Sequence, residues 1–218
     1  MELKHSFAKS IQLGISGFLV VLFLELSAVN IAVAQPRHSG VFAVGIGAAD
    51  DGCSFRWQTR MAVPGWQKPT TEAGRPIRRI EPNRLIEPND HSEALTVTLK
   101  LGVAVARQDM SLEAVDYGSR SYLSQNDYYE SGRTVILNLR QGDEIQLLAR
   151  GPEGSQFFKA GSQVYTGYLP NSLETVQAPE TQLWVKLIPR DNQPAAWVLV
   201  SDSNQLESLP CELIGWEF

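Results

Sequence analysis

Between residues 95 and 105 the chain alternates. Leu95, Val97, Leu99, Leu101, Val103 and Val105 share one parity, with Thr96, Thr98 and Lys100 between the first of them. Successive side chains of a strand point to opposite faces, so a period of two sends the apolar row into a core and the polar row toward solvent. A helix would scatter these residues around its surface. The run predicts a half-buried strand, and with it a sheet.

Further apolar stretches at 134–139, 144–149, 163–169, 183–188 and 196–200 predict more strands. Turn chemistry separates them: Gln141-Gly142-Asp143, Gly151-Pro152-Glu153-Gly154 and Arg190-Asp191-Asn192-Gln193-Pro194. Only 109–116 reads as briefly helical. The expected fold class is mainly β, a small barrel or sandwich of short antiparallel strands over residues 94–218.

Residues 35–93 differ in character. They read as an irregular, Gly- and Pro-rich extension and connector. Val41, Phe42, Val44 and Ile46 suggest one strand before Cys53. Pro64, Pro69, Pro76, Pro82 and Pro88 then fall at short intervals, and each removes a backbone donor and biases its predecessor away from helix. Glu81-Pro82-Asn83 recurs as Glu87-Pro88-Asn89, too short to establish a repeat. Arg75, Arg78, Arg79 and Arg84 lie there beside Glu72, Glu81 and Glu87. An anion-docking strip is one reading of them, and a solvated mixed-charge linker is the one adopted.

The first thirty-four residues have the order of a secretory leader: Lys4, His5 and Lys9, an apolar run over 11–24, and Ala32-Val33-Ala34 before Gln35. Cleavage after Ala34 is expected, leaving about 184 residues, the size of one domain. An uncleaved anchor is the alternative, but Glu25 and Asn30 would lie inside the span, where a carboxylate is costly. Contact with a membrane is expected only through the leader. The first cysteine is Cys53, so no lipobox is present. Expected localisation is periplasmic or extracellular. The formal charge of −5 implies no basic face, which disfavours a nucleic-acid partner.

Cys53 and Cys211 are the only cysteines, and an even count in an exported chain favours a disulfide over free thiols. Such a bond would close nearly the whole mature chain, a loop worth about 5 kcal/mol on the entropic model. As metal ligands they have only His38 and His91 for company, a weak zinc set.

In the C-terminal half three pieces resemble the bacterial Src homology 3-like domain. Residues Leu139-Arg140-Gln141-Gly142-Asp143-Glu144-Ile145-Gln146-Leu147-Leu148 are similar to its turn-and-strand segment. Trp184-Val185-Lys186-Leu187 is similar to its central aromatic strand, and Ala196-Trp197-Val198-Leu199 to its Gly-Trp-Val strand. Ala196 stands where the family has glycine, and Gly167-Tyr168-Leu169-Pro170 offers a second register. The resemblance implies recognition of peptide, peptidoglycan or glycan along an aromatic groove, without chemistry. Tyr165, Tyr168, Trp184 and Trp197 become the candidate ligand-binding residues, since such rings pair an apolar face with a polar handle. A core role is the alternative, foremost for the two tryptophans, which sit in apolar strands.

No catalytic residues are assigned. Nucleophilic catalysis needs a nucleophile, a base and an orienting group, and the mature chain offers only His38 and His91 as bases, with no Gly-x-Ser-x-Gly elbow. A carboxylate pair drawn from Glu113, Asp116, Asp127, Glu130, Asp143 and Glu144 could hydrolyse a glycoside only if two converged in space. Gly45-Ile46-Gly47 lacks the third glycine and the βαβ unit of a dinucleotide site, and Asp50-Asp51-Gly52 lacks the spaced carboxylates of a calcium loop. No cofactor or metal is expected. Asp127-Tyr128-Tyr129-Glu130, with Tyr117 and Tyr122, is the most aromatic polar stretch, and reads equally as contact surface or packing. Three functions follow: a non-catalytic envelope-binding module whose partner is a cell-wall polymer, an exported hydrolase of envelope polymers, or a structural or inhibitory partner of another exported protein.

Overall fold

The computed structural model describes residues 40–45, 56–70, 75–86, 91–189, 192–202 and 204–209. In chain order the strands are β1 (Phe42–Val44), β2 (Trp57–Thr59), β3 (Val63–Gly65), β4 (Arg78–Ile80), β5 (Leu85–Ile86), β6 (His91–Lys100), β7 (Gly102–Ala106), β8 (Met110–Asp116) and β9 (Tyr122–Leu123). After the single-turn helix α1 (Gln125–Glu130) come β10 (Arg133–Leu139), β11 (Glu144–Arg150), β12 (Gln156–Ala160), β13 (Gln163–Gly167), β14 (Leu173–Gln177), β15 (Glu180–Leu187), β16 (Ala196–Leu199) and β17 (Leu206–Ser208). The mainly β class is therefore as expected.

The strands form a five-stranded sheet in the order β16-β15-β6-β1-β9 and a seven-stranded sheet in the order β10-β8-β13-β12-β11-β7-β14. A three-stranded unit β17-β2-β5 and the ribbon β3-β4 complete the described residues. Pairing is antiparallel except between β1 and β9. Among the described residues neither large sheet closes, because β10 and β14 are opposite edges of one and β16 and β9 of the other. Of the two expected forms, barrel or sandwich, the open, packed sheets are the sandwich.

The alternating run breaks in the middle. In β6 the odd residues Leu95 and Val97 are buried, whereas in β7 the even residues Gly102, Ala104 and Ala106 are, so Val103 and Val105 do not continue the buried row. The reason is a change of sheet: β6 belongs to the five-stranded sheet and β7 to the seven-stranded one. Gly102 allows the crossing, since a Cβ there would lie 2.5 Å from both the Gln177 carbonyl oxygen and the Pro179 nitrogen.

Leu112, Ala114, Ile145, Phe158 and Leu173 fill a core inside the seven-stranded sheet. Phe42, Leu123, Leu148 and Phe157 fill a second one, between that sheet and the β1–β9 end of the five-stranded sheet. Thr98, fully buried on the row expected to face solvent, donates its hydroxyl to the Leu148 carbonyl at 2.7 Å across this junction. Val185, Leu187 and Val198 pack with Trp57, Val63, Ile80, Ile86 and Leu206 from the small sheets. The opposite face of β15 and β16 carries Trp184 and Trp197 with Ala43, Leu95 and Val97.

Two more expectations need correction. Residues 110–116 form β8, not a helix: Leu112 and Ala114 are buried and Ser111 and Glu113 exposed, so the period of two overrides the helix propensity of Leu, Glu and Ala. The connector contributes β3, β4 and β5, and the boundary expected between residues 93 and 94 falls within β6. Pro64 fits because β3 pairs only with β4, leaving an edge where no backbone donor is required.

Candidate functional site

β8 and β13 pair at Asp116 with Tyr165 and at Val115 with Thr166, and there the pairing ends. Gly167 makes the last approach; a Cβ on it would lie 2.9 Å from the Glu113 carbonyl oxygen. Beyond it Tyr168, Leu169 and Pro170 leave the sheet. Where the chains part, a cleft of about 540 Å³ opens, with Ser111, Glu113 and Val115 of β8 along its floor and Tyr168 and Pro170 on one wall. Tyr128 of α1 and Ser155, from the loop before β12, also line it. The outward row of β8 pairs with Thr134, Ile136 and Asn138 of β10, so the same face continues to the sheet edge.

The walls are held by local structure. Ser124 caps α1, accepting from the Asp127 N–H, while the Asp127 carboxylate accepts from the Ser124 N–H at 3.0 Å and hydroxyl at 2.7 Å and pairs with Arg120. This box fixes a helix too short to persist alone. Burial acts to raise the Asp127 pKa, but the bonds from Ser124 and the Arg120 charge outweigh it and hold the carboxyl below its usual range. Tyr128 stacks against Tyr117 at 6.1 Å between ring centroids and meets Phe157 edge-on at 5.8 Å. Burial first, then Tyr129, and further Tyr168 and Glu153, raise its pKa against a hydrogen bond with Ser155, which places all these groups around one phenol.

Tyr168 is 62% exposed, and its hydroxyl lies 3.4 Å from the Glu153 carboxylate. Glu153 has φ of 54°, left-handed backbone that a non-glycine residue adopts at a cost. Beneath the cleft Thr166 is 5% exposed, and its hydroxyl has no partner among the described residues. Rotation about χ1 would exchange this oxygen with the methyl group, so a ligand in the cleft can satisfy it.

Of the four residues expected to bind ligand, only Tyr168 reaches this cleft. Tyr165 points to the opposite side of β13, is buried and stacks on Phe158 at 5.5 Å; burial first and Asp116 second raise its pKa. Trp184 is fully buried and donates its Nε1–H to Gln182 Oε1 at 3.2 Å. Trp197 is also buried, with the Lys186 ammonium 5.7 Å from its ring centroid. These three are core, the alternative weighed for the tryptophans. Tyr128 and Thr166 were not singled out as ligand residues, although the 127–130 stretch pointed to the neighbourhood: Tyr128 packs and lines the cleft, while Tyr129 is 68% exposed.

Among the carboxylates weighed for hydrolysis, Asp116 accepts from the Gly118 N–H at 2.8 Å, Asp143 from the Arg140 N–H at 2.8 Å, and Asp127 is bound as described. Among the described residues Glu113 is the one carboxylate residue lining the cleft. No cluster of three or more His, Cys, Asp or Glu able to hold a metal occurs among the described residues. Cys53, Cys211 and His38 lie outside the described residues.

The segments that carry the Src homology 3-like resemblance divide between the two large sheets, β10–β11 in one and β15–β16 in the other. No protein family, curated protein or solved structure matches this chain.

Proposed function

We propose that this chain is an exported, non-catalytic binding module of the cell envelope that takes an extended polymer, a peptide or glycan strand, in the cleft where β8 and β13 part. The observation that carries the reading is that two tyrosines, Tyr128 and Tyr168, line one cleft with Ser111 and Glu113, and that Thr166, also in its lining, holds a buried hydroxyl without a partner among the described residues. Tyrosine rings supply flat apolar faces for stacking with a polar tip, and the floor supplies hydrogen-bond groups that orient a ligand. Glu113 of the cleft pairs with the exposed Ile136 on the edge strand, so a chain leaving the cleft has an open sheet face to run across. An envelope polymer is also what the Src homology 3-like resemblance implies, and the leader-like N-terminus would deliver the chain to it.

The test is retention of the purified protein on insoluble peptidoglycan and on a panel of polysaccharides, wild type against Tyr168→Ala and Thr166→Val. Retention that Tyr168→Ala reduces supports the module and names its polymer class. Retention on none of them, or retention that both variants share equally with wild type, sinks it.

A further inference from the structure

Arg75 and Arg79 of the connector are exposed, as a solvated strip would have them, but Arg78 is not. Arg78 leaves β4 on the same face as the buried Ile80, and its stem lies over Gly65, where an added Cβ would come within 3.0 Å of Arg78 Cγ and 2.9 Å of Ala196 Cβ. Its Nε and Nη2 are buried and have no hydrogen-bond partner among the described residues. These are the two nitrogens whose N–H bonds run parallel along one side of the guanidinium, the fork that pairs with two oxygens of an oxyanion. An arginine cannot shed its proton to escape, so an unpaired fork is costly.

The backbone of Arg84, six residues on, is held against Thr59 of β2. Its N–H donates to the Thr59 hydroxyl at 2.8 Å and its carbonyl accepts from the Thr59 N–H at 3.0 Å, while the Thr59 hydroxyl donates to the Glu81 carbonyl at 2.7 Å. Burial first, and the Arg84 charge second, push the Arg78 pKa down. Neither arginine enters an ion pair among the described residues. Two cations near enough for their charges to interact, one with a fork unpartnered among the described residues, are best matched by a ligand carrying nearly two negative charges.

We propose that Arg78 and Arg84 form a binding site for a phosphate-type dianion, inorganic phosphate or a phosphomonoester, at the β3–β4 ribbon. Phosphate supplies both the paired oxygens for the fork and a charge of about −2 for the two cations. Arg78 as a whole is only half-buried, so part of its side chain meets solvent although the fork does not. The site stands apart from the tyrosine-flanked cleft and does not depend on it.

The experiment titrates the full chain with inorganic phosphate and, separately, with glycerol phosphate, by calorimetry at constant ionic strength with chloride as the reference. Saturable binding to either is expected, and the tighter of the two identifies free phosphate or its ester as the source. Arg78→Lys keeps the charge but loses the fork, and should weaken binding at least about tenfold. Arg84→Gln, whose contacts with Thr59 are through the backbone, should also weaken it, whereas Arg79→Gln on the exposed face of β4 should not. Heat no different from chloride, or affinity unchanged in both Arg78→Lys and Arg84→Gln, would overturn the site.

Discussion

Trp66 and Trp197 exchange backbone hydrogen bonds, each N–H donating to the other's carbonyl at 2.8 Å. The residue that follows β3 thereby covers part of the outer edge of β16, where unpaired donors would otherwise invite another strand. Trp197 is buried at this junction against Trp184 and Leu95. Trp197→Ala should cost about 3–5 kcal/mol in urea unfolding, the range for truncating a buried aromatic. A loss of under about 0.5 kcal/mol, typical of a surface position, would return Trp197 to the candidate ligand residues.

Tyr168 gives the opposite expectation. It is largely exposed, and among the described residues its hydroxyl meets the Glu153 carboxylate at 3.4 Å. Tyr168→Ala should therefore change stability by no more than about 0.5 kcal/mol while reducing polymer retention. Melting curves recorded beside the retention assay separate the two effects.

Asp127 should make stability depend on pH. Its folded pKa lies below the ordinary carboxyl value, so the folded state binds the proton less readily than the unfolded chain. The contribution is complete above the unfolded pKa of about 4 and is lost as pH falls through the lower folded value. The unfolding free-energy gap between wild type and Asp127→Asn should shrink from about pH 6 to about pH 2. A gap that widens on acidification contradicts the assignment. Ser124→Ala removes the cap itself and should cost about 1 kcal/mol at neutral pH.

Much of the seven-stranded sheet was legible. Strands at 134–139 and 144–149 follow from alternation on either side of Gln141-Gly142-Asp143, and Gly142 has the positive φ of 90° that such a turn requires. What stayed hidden depends on the partner of each face. Thr98 reads as solvent-facing, yet a second sheet covers that side of β6. Trp184 and Trp197 read as a possible groove because sequence does not reveal that a sheet is covered on both faces. The cleft is not a motif at all: Ser111, Glu113, Tyr128, Thr166 and Tyr168 come together through the register of β8 with β13 and the departure of the chain after Gly167. Tyr168, expected to bind ligand, and the tyrosine density at 127–130 pointed toward it, but not to each other.

Gly102 shows how a single position sets the crossing between sheets. Because the Cβ of Gly102→Ala would meet backbone atoms of Gln177 and Pro179 at 2.5 Å, flexible side chains cannot yield to accommodate it. The variant should lose about 1–3 kcal/mol by calorimetric melting. A neutral outcome would mean that β7 and the end of β14 separate more readily than their pairing at Val103 and Gln177 implies.

The junction between the large sheets makes the last prediction. β11 shifts register against β12 between Leu147 and Ala149, so Leu148 sits at an irregularity in that ladder. Thr98 reaches across to the Leu148 carbonyl at 2.7 Å, and both residues are fully excluded from solvent. Thr98→Val keeps the shape and removes only the hydroxyl, leaving a buried carbonyl short of a donor, which should cost about 1–3 kcal/mol. Thr98→Ser keeps the donor and loses a methyl group, so it should retain the hydrogen bond and cost about 1 kcal/mol. Valine measuring as stable as wild type, with serine less stable, would show that packing alone joins the two sheets and that the hydroxyl is incidental.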